Sequence, residues 1–232
     1  MQAGISWGLS PVRQLIQDQG MTAFWSKTSY CSCWGKVDGV EQNTNSPDPH
    51  CKICSSGYIY TEPKKQFPVV FTDLHEAVQW TEEGINPTGN ITLIIPDKDV
   101  LGNTIDMYLD VGLQDLIVSM DIQLQDIEIL NSSSPLLRRI PAQLISVSWN
   151  GITYVVGNEV TTHLNSLIWQ TQRKPPDGSL ISVSYLYYPL YTVLTSLPIA
   201  INYGGLSFPR TILLAERAPI TQADIKVFGD LL

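Results

Sequence analysis

All four cysteines of the chain fall within 24 residues, as Cys31-Ser32-Cys33 and Cys51-Lys52-Ile53-Cys54 separated by 17 residues. No other feature limits the possible folds so strongly. The spacer, residues 34–50, is rich in Gly, Asn, Pro and Asp. It can loop back and bring the two pairs together, yet it carries too little apolar material to order itself. Such a segment needs a cross-link.

Three readings suit the spacing: a metal ion, two disulfides, or four free thiols in a loop. Zn²⁺ takes four thiolates tetrahedrally at about 2.3 Å, and its binding free energy becomes folding free energy for a small segment. The run Cys51-Lys52-Ile53-Cys54-Ser55-Ser56-Gly57-Tyr58 resembles a zinc knuckle, in which a small residue or glycine after the second cysteine lets backbone N–H groups turn toward the thiolates. Residues 1–9 lack the basic start and apolar run of a secretory signal. Assembly in a cytoplasm is expected, where thiols stay reduced or metal-bound. Structural zinc on Cys31, Cys33, Cys51 and Cys54 is therefore the expectation, with His50 a bystander. A thioredoxin-like redox site would require a βαβ setting. Here Pro47-Asp48-Pro49 precedes the pair and Gly57-Tyr58-Ile59-Tyr60 follows it, which describes a turn between extended segments.

Composition narrows the function classes. Charged residues are 16% of the 232, against roughly 25% in an average soluble domain. The formal charge is −8 and no basic run occurs, which argues against a grip built on phosphate neutralisation. The most apolar stretch, residues 180–201, is broken by Pro189 and Pro198 and falls short of a membrane span. His50, His75 and His163 are not in metal-ligand spacing, and neither a Gly-x-Ser-x-Gly elbow nor a Gly-rich phosphate loop occurs. Asp106, Asp110, Asp115, Asp121, Asp126 and Glu128 are the raw material for a paired-carboxylate hydrolase, but solvent-facing positions on alternating strands are the preferred reading. No catalytic residues are expected.

Ser10-Pro11 with Val12, Leu15, Ile16 and Gly20 predicts a short N-terminal helix, Ser10 capping it and Gly20 stopping it. A second helix is expected from Asp73 to about Glu83. From Asn90 onward short β-branched and aromatic segments alternate with turn formers, predicting strands at 91–95, 105–109, 115–118, 123–130, 142–149, 152–156, 166–169, 180–190 and 211–214. Asn150-Gly151 marks a type I′ hairpin, because both turn positions need positive φ. Joints are expected at 132–135 and 174–178. Trp149, Tyr154, Trp169, Tyr185, Tyr187, Tyr188, Tyr191 and Tyr203 crowd the C-terminal third, as either a sandwich core or an assembly interface. The expected fold is mainly β (α+β), an antiparallel β barrel or sandwich with a short N-terminal helix and a small zinc-ribbon-like insertion. Its segments are a helical arm at 1–27, a four-cysteine insertion at 28–61, a body at 62–140 and a strand-rich aromatic region at 141–232.

The order Tyr30-Cys31-x-Cys33, Pro47-Asp48-Pro49-x-Cys51-x-x-Cys54-x-x-Gly57-Tyr58-Ile59-Tyr60, Ile152-Thr153-Tyr154, Leu167-Ile168-Trp169, Pro176-Asp177-Gly178, Val183-Ser184-Tyr185 and Tyr188-Pro189 resembles tailed-bacteriophage structural proteins of the head and neck. Where such sequences read Cys-x-Gly-x-Gly, this one has Cys54-Ser55-Ser56-Gly57. The resemblance implies a head-to-tail connector or stopper, a virion protein forming a homo-oligomeric ring between portal or adaptor and tail terminator or tube proteins. Packaged DNA would pass nearby without sequence-specific binding, and no membrane partner is implied. A tail or baseplate component is the alternative, with a phage hydrolase or a zinc-ribbon regulator as readings of other classes. In a connector, the acidic stretch from Asp97 to Asp126 would be expected toward the lumen or on solvent-facing loops, where it would not hold phosphates.

Overall fold

The structure, a computed structural model, describes residues 20–37, 40–41, 46–48, 50–52, 54, 57–60, 66–73, 80–81, 84–85, 90–98, 103–196 and 209–217, with 14, 16 and 18. In chain order the strands are β1 (Met21–Ser26), β2 (Thr28–Tyr30), β3 (Lys36–Val37), β4 (Val40–Glu41), β5 (Tyr58–Tyr60), β6 (Gln66–Asp73), β7 (Trp80–Thr81), β8 (Gly84–Ile85) and β9 (Asn90–Ile95). After the one-turn helix α1 (Asp106–Asp110) come β10 (Leu116–Ser119), β11 (Leu124–Asn131), β12 (Pro141–Trp149), β13 (Ile152–Tyr154), β14 (Val160–His163), β15 (Ser166–Trp169), β16 (Leu180–Tyr187), β17 (Leu190–Ser196) and β18 (Arg210–Glu216). The expected N-terminal helix at 10–20 lies largely outside the described residues.

The fold is mainly β and has two compact units. One comprises Met1–Thr28, Pro63–Asp121 and Tyr191–Glu216; the other comprises Ser29–Glu62, Ile122–Leu190 and Arg217–Leu232. Each therefore draws on separate stretches of the chain, and the aromatic C-terminal third contributes to both.

The first unit holds a closed antiparallel barrel in the order β1-β10-β17-β18-β9-β6. Closure leaves no strand edge unpaired. Side chains two apart point the same way, so Phe67 and Val69 of β6, Leu93 and Ile95 of β9, Tyr191 and Val193 of β17, and Ile212 and Leu214 of β18 meet Ala23 in one core. Between β17 and β18 the register shifts from Val193 to Thr195, and Leu194 is exposed there. Such a bulge adds the local bend that a small barrel needs.

Two sequence expectations change in this unit. The helix expected from Asp73 to Glu83 gives way at both ends to strand, with Asp73 closing β6 and Trp80–Thr81 pairing with β8; residues 74–79 lie outside the described set. The strand expected at 105–109 is instead the turn of helix α1, which sends Met107 into the barrel core between Ile105 and Val111. The reason is distant in sequence. Arg210 donates from Nη1 to Tyr108 O at 2.8 Å and from Nη2 to Val111 O at 3.1 Å, satisfying carbonyls at the C-terminal end of the turn.

The second unit holds the four-stranded antiparallel sheet β11-β16-β12-β13, the hairpin β14-β15 and the cysteine insertion. Its core gathers Leu137, Leu144, Val147, Tyr154, Val160, Leu167, Ile181, Val183, Tyr185 and Tyr187. The Asn150-Gly151 hairpin forms as expected, with φ of 47° and 78° and Trp149 opposite Ile152. The joints at 132–135 and 174–178 are turns fastened to each other: Ser132 Oγ donates to Pro176 O at 2.6 Å, and Ser132 N–H to Ser179 O at 2.8 Å. Tyr185 and Tyr187 are buried in this unit's core and Tyr191 in the barrel core. These three rings therefore belong to the chain's own interior and are not available as a docking face.

Candidate metal centre

The cysteine insertion rises from the two-stranded pair β2-β5. Cys31 follows β2 directly, its N–H donating to Gly57 O at 2.8 Å, so the chain entering the loop is tied to the chain leaving it. A tight turn then returns Trp34 N–H to Cys31 O at 3.3 Å and Lys36 N–H to Cys33 O at 3.1 Å. The hairpin β3-β4 and a bridge between Trp34 and Pro47 bring the chain back. Asp48 N–H then meets Cys33 O at 3.3 Å, and Cys51 N–H meets Asp48 O at 3.2 Å. In this way two thiol pairs far apart in sequence converge.

The four sulfur atoms lie within 4.8 Å of one another. Cys31 Sγ is 3.9 Å from Cys51 Sγ, and Cys33 Sγ is 3.4 Å from Cys54 Sγ. Thiolates on a tetrahedral ion at about 2.3 Å sit about 3.8 Å apart, so the four cysteines are close enough to hold a metal ion, and their donor set suits one. A disulfide needs about 2.05 Å, so none is present. Cys31 and Cys33 are buried, while Cys51 and Cys54 are partly exposed.

Electrostatics point the same way. Burial pushes the Cys33 and Cys54 thiols above their ordinary range, and the neighbouring thiols push Cys54 further. Backbone N–H groups oppose this at both sites, from Asp48 to Cys33 and from Gly57 to Cys54. Four thiolates this close are stable together only beside a cation, which inverts the local preference. N–H groups aimed at the sulfurs are the outer contacts that a metal–thiolate site uses.

Aromatic packing supports the loop. Trp34 stands edge-on to Tyr30 at 5.2 Å between ring centroids and to Tyr58 at 6.1 Å, and its Nε1–H donates to Gly57 O at 2.7 Å. Gly57 has φ of +90°, and a Cβ there would lie 2.6 Å from Trp34 Nε1 and 2.7 Å from Pro47 Cβ. Only glycine fits. Sequence reasoning expected a small residue or glycine after the second cysteine but did not single out Gly57, and it missed the tryptophan lock. The aromatic residues interleaved with the cysteines, Tyr30, Trp34, Tyr58 and Tyr60, were its visible signal.

The other candidates do not assemble. Among the described residues, the cysteines are the one set of three or more His, Cys, Asp or Glu side chains grouped for a metal. His50 is exposed, with its N–H bonded to Asp48 Oδ1 at 2.9 Å, and His163 ends β14 on the surface; His75 lies outside the described residues. The acidic residues divide between the units, with Asp106, Asp110, Asp115 and Asp121 in the first and Asp126 and Glu128 in the second.

Two of these acids correct the surface reading. Asp115 is buried in the barrel unit, where Oδ2 accepts from Trp25 Nε1 and Gly112 N–H, both at 2.8 Å, and Oδ1 accepts from Thr28 N–H at 2.7 Å. Glu128 is buried in the sheet unit, where it accepts from Tyr185 Oη and from Arg138 N–H at 3.1 Å; beside it Asp126 pairs with Arg139, which lies over the Tyr187 ring. Each carboxylate is satisfied by structural donors. Asp97 is buried too, so the acidic stretch is not uniformly turned to solvent.

No protein-family model matches this sequence, and no curated protein matches it.

Proposed function

We propose that the chain is a structural subunit of a tailed-phage neck, a connector or stopper between portal and tail, in which Cys31, Cys33, Cys51 and Cys54 hold a structural Zn²⁺. The observation that carries the reading is the convergence of four sulfurs within 4.8 Å in an insertion whose outer side chains include Tyr30 and Val40, 72% and 65% exposed. Exposed apolar groups on a braced loop suit a contact with another subunit. Zinc fits four soft thiolate donors in a closed tetrahedron, and when bound it supplies charge neutralisation and a cross-link. The residues divide the remaining work: Gly57 and Asp48 aim N–H groups at sulfur, and Trp34 holds the loop closed. A net charge of −8 without a basic run suits a protein beside which packaged DNA slides.

The test has two arms. Elemental analysis of purified protein is expected to give one zinc per chain, and light scattering is expected to find a closed oligomer at assembly concentrations. Absence of metal removes the zinc centre. A chain that stays monomeric alone and with portal or tail proteins, and is absent from purified virions, removes the neck reading.

A further inference from the structure

We infer that the cysteine cluster is also a site of oxidative modification with one built-in pairing, Cys33 to Cys54 and Cys31 to Cys51. The inference builds on the metal centre proposed above, but the pairing itself rests on sulfur positions alone. Four cysteines allow three pairings. The pairs at 3.4 Å and 3.9 Å both join one motif to the other. Reaching disulfide length requires each to close by about 1.4 and 1.9 Å, a displacement that side-chain rotation supplies. A bridge inside Cys31-Ser32-Cys33 would instead close a ring across a single residue, where stiffness dominates.

Exposure sets the order of events. Cys51 and Cys54 are partly exposed and meet the oxidant first, while Cys31 and Cys33 are buried behind them as resolving thiols. With hydrogen peroxide the exposed thiolate takes an oxygen atom to become a sulfenic acid, releasing hydroxide. The buried partner then attacks that sulfur, the S–S bond forms, and the sulfenic oxygen leaves as water. Starting from the metal-bound cluster, two peroxide molecules and four protons give two disulfides, four water molecules and the free divalent ion. The backbone tie from Cys31 N–H to Gly57 O does not involve sulfur, so the loop stays closed through the exchange. Two cross-links then replace one ion.

Peroxide titration of the full chain, followed by non-reducing tryptic mapping, tests the pairing. Cleavage at Lys36 and Lys52 separates residues 28–36, 37–52 and 53–64. Expected are two disulfides per chain, fragment 28–36 joined to both of the others, and one equivalent of metal released to a colorimetric chelator. The Cys33→Ser variant is expected to keep the bond between Cys31 and Cys51, which fixes the assignment. Bonds from Cys31 to Cys33 and from Cys51 to Cys54, or oxidation running to sulfinic acid with no cross-link, would overturn the inference. Protein isolated without metal would end the zinc reading, while the same digest still reports the pairing.

Discussion

In the barrel, Ala23, Val69, Leu93, Ile95, Val193, Ile212 and Leu214 are removed from solvent entirely, and every strand has a neighbour on both sides. Between Ser29 and Glu62, the buried apolar side chains among the described residues are Cys31, Cys33 and Tyr60. The first region has apolar area to offset its chain entropy. The second has two-residue and three-residue strands, ring contacts at its margin and four sulfurs at its centre. The contrast shows where a segment without a core would draw its shape: on the metal centre proposed above, a cross-link through the four sulfurs would do the work that burial does in the barrel.

Removing the metal should separate the two regions most sharply. Metal–thiolate binding contributes on the order of 10 kcal/mol in small zinc modules. Chelation, or Cys33→Ser, is therefore expected to abolish hydrogen-exchange protection at Cys31 and Lys36 while leaving amides of β9 and β18 protected. Equal loss in the barrel would break the comparison. The reverse experiment is Leu93→Ala, expected to cost about 2–5 kcal/mol in urea unfolding of the barrel with metal content per folded chain unchanged. Metal loss in step with the barrel would show that the regions are not independent.

Gly57→Ala tests the insertion without touching sulfur. The strained φ and the collision with Trp34 and Pro47 together should cost about 2–4 kcal/mol, read as a tenfold or greater weakening of metal affinity in a chelator competition.

Asp115 is the barrel's polar exception. Burial raises its carboxyl above the ordinary value of 3.8, although hydrogen bonds from Gly112, Thr28 and Trp25 pull the other way. A raised native pKa means that the folded state binds the proton more tightly than the unfolded one. Stability from this group is thus greatest in acid and declines as pH climbs from about 3.8 through the raised value. Asp115→Asn sets an amide N–H₂ against the donors and should cost roughly 1–3 kcal/mol at pH 7. The advantage of the natural protein over the variant is expected to be larger at pH 4 than at pH 7 in paired urea curves.

The smallest effect belongs to the hairpin β14-β15, where Leu164 holds φ of +52°. Leu164→Gly is expected to raise the thermal midpoint slightly, by a stabilisation of about 0.5–1 kcal/mol, as the left-handed strain is relieved.

Legibility in the sequence followed the range of the cause. Asn150-Gly151 carries its own turn, and the cysteine spacing carries its own chemistry, so both could be read locally. Helix α1 could not, because Arg210, which satisfies its carbonyls, lies a hundred residues away. The strand β11 misleads in another way: Glu128 faces inward while Ile127 and Ile129, 65% and 71% exposed, face out. Its alternation is the right period on the inverted face; Tyr185 and Arg138, brought in by the fold, make the buried Glu128 tolerable, and Arg139 pairs with the half-buried Asp126 beside it. In β12, Leu144 and Val147 reach one core although three apart, because the register slips between Leu144 and Ser146. Strict alternation could not reveal that slip.

The strand order of the barrel also dictates a timetable. Its seam closes where β18 meets β9 and β17, so no ribosome can release a finished barrel before Glu216 has emerged, although β1 was made nearly two hundred residues earlier. The sheet β11-β16-β12-β13 is complete at Tyr187. During synthesis the nascent protein therefore carries β1, β6, β9 and β10 with their closing partners still to come, and that is the interval in which a chaperone has most to shield.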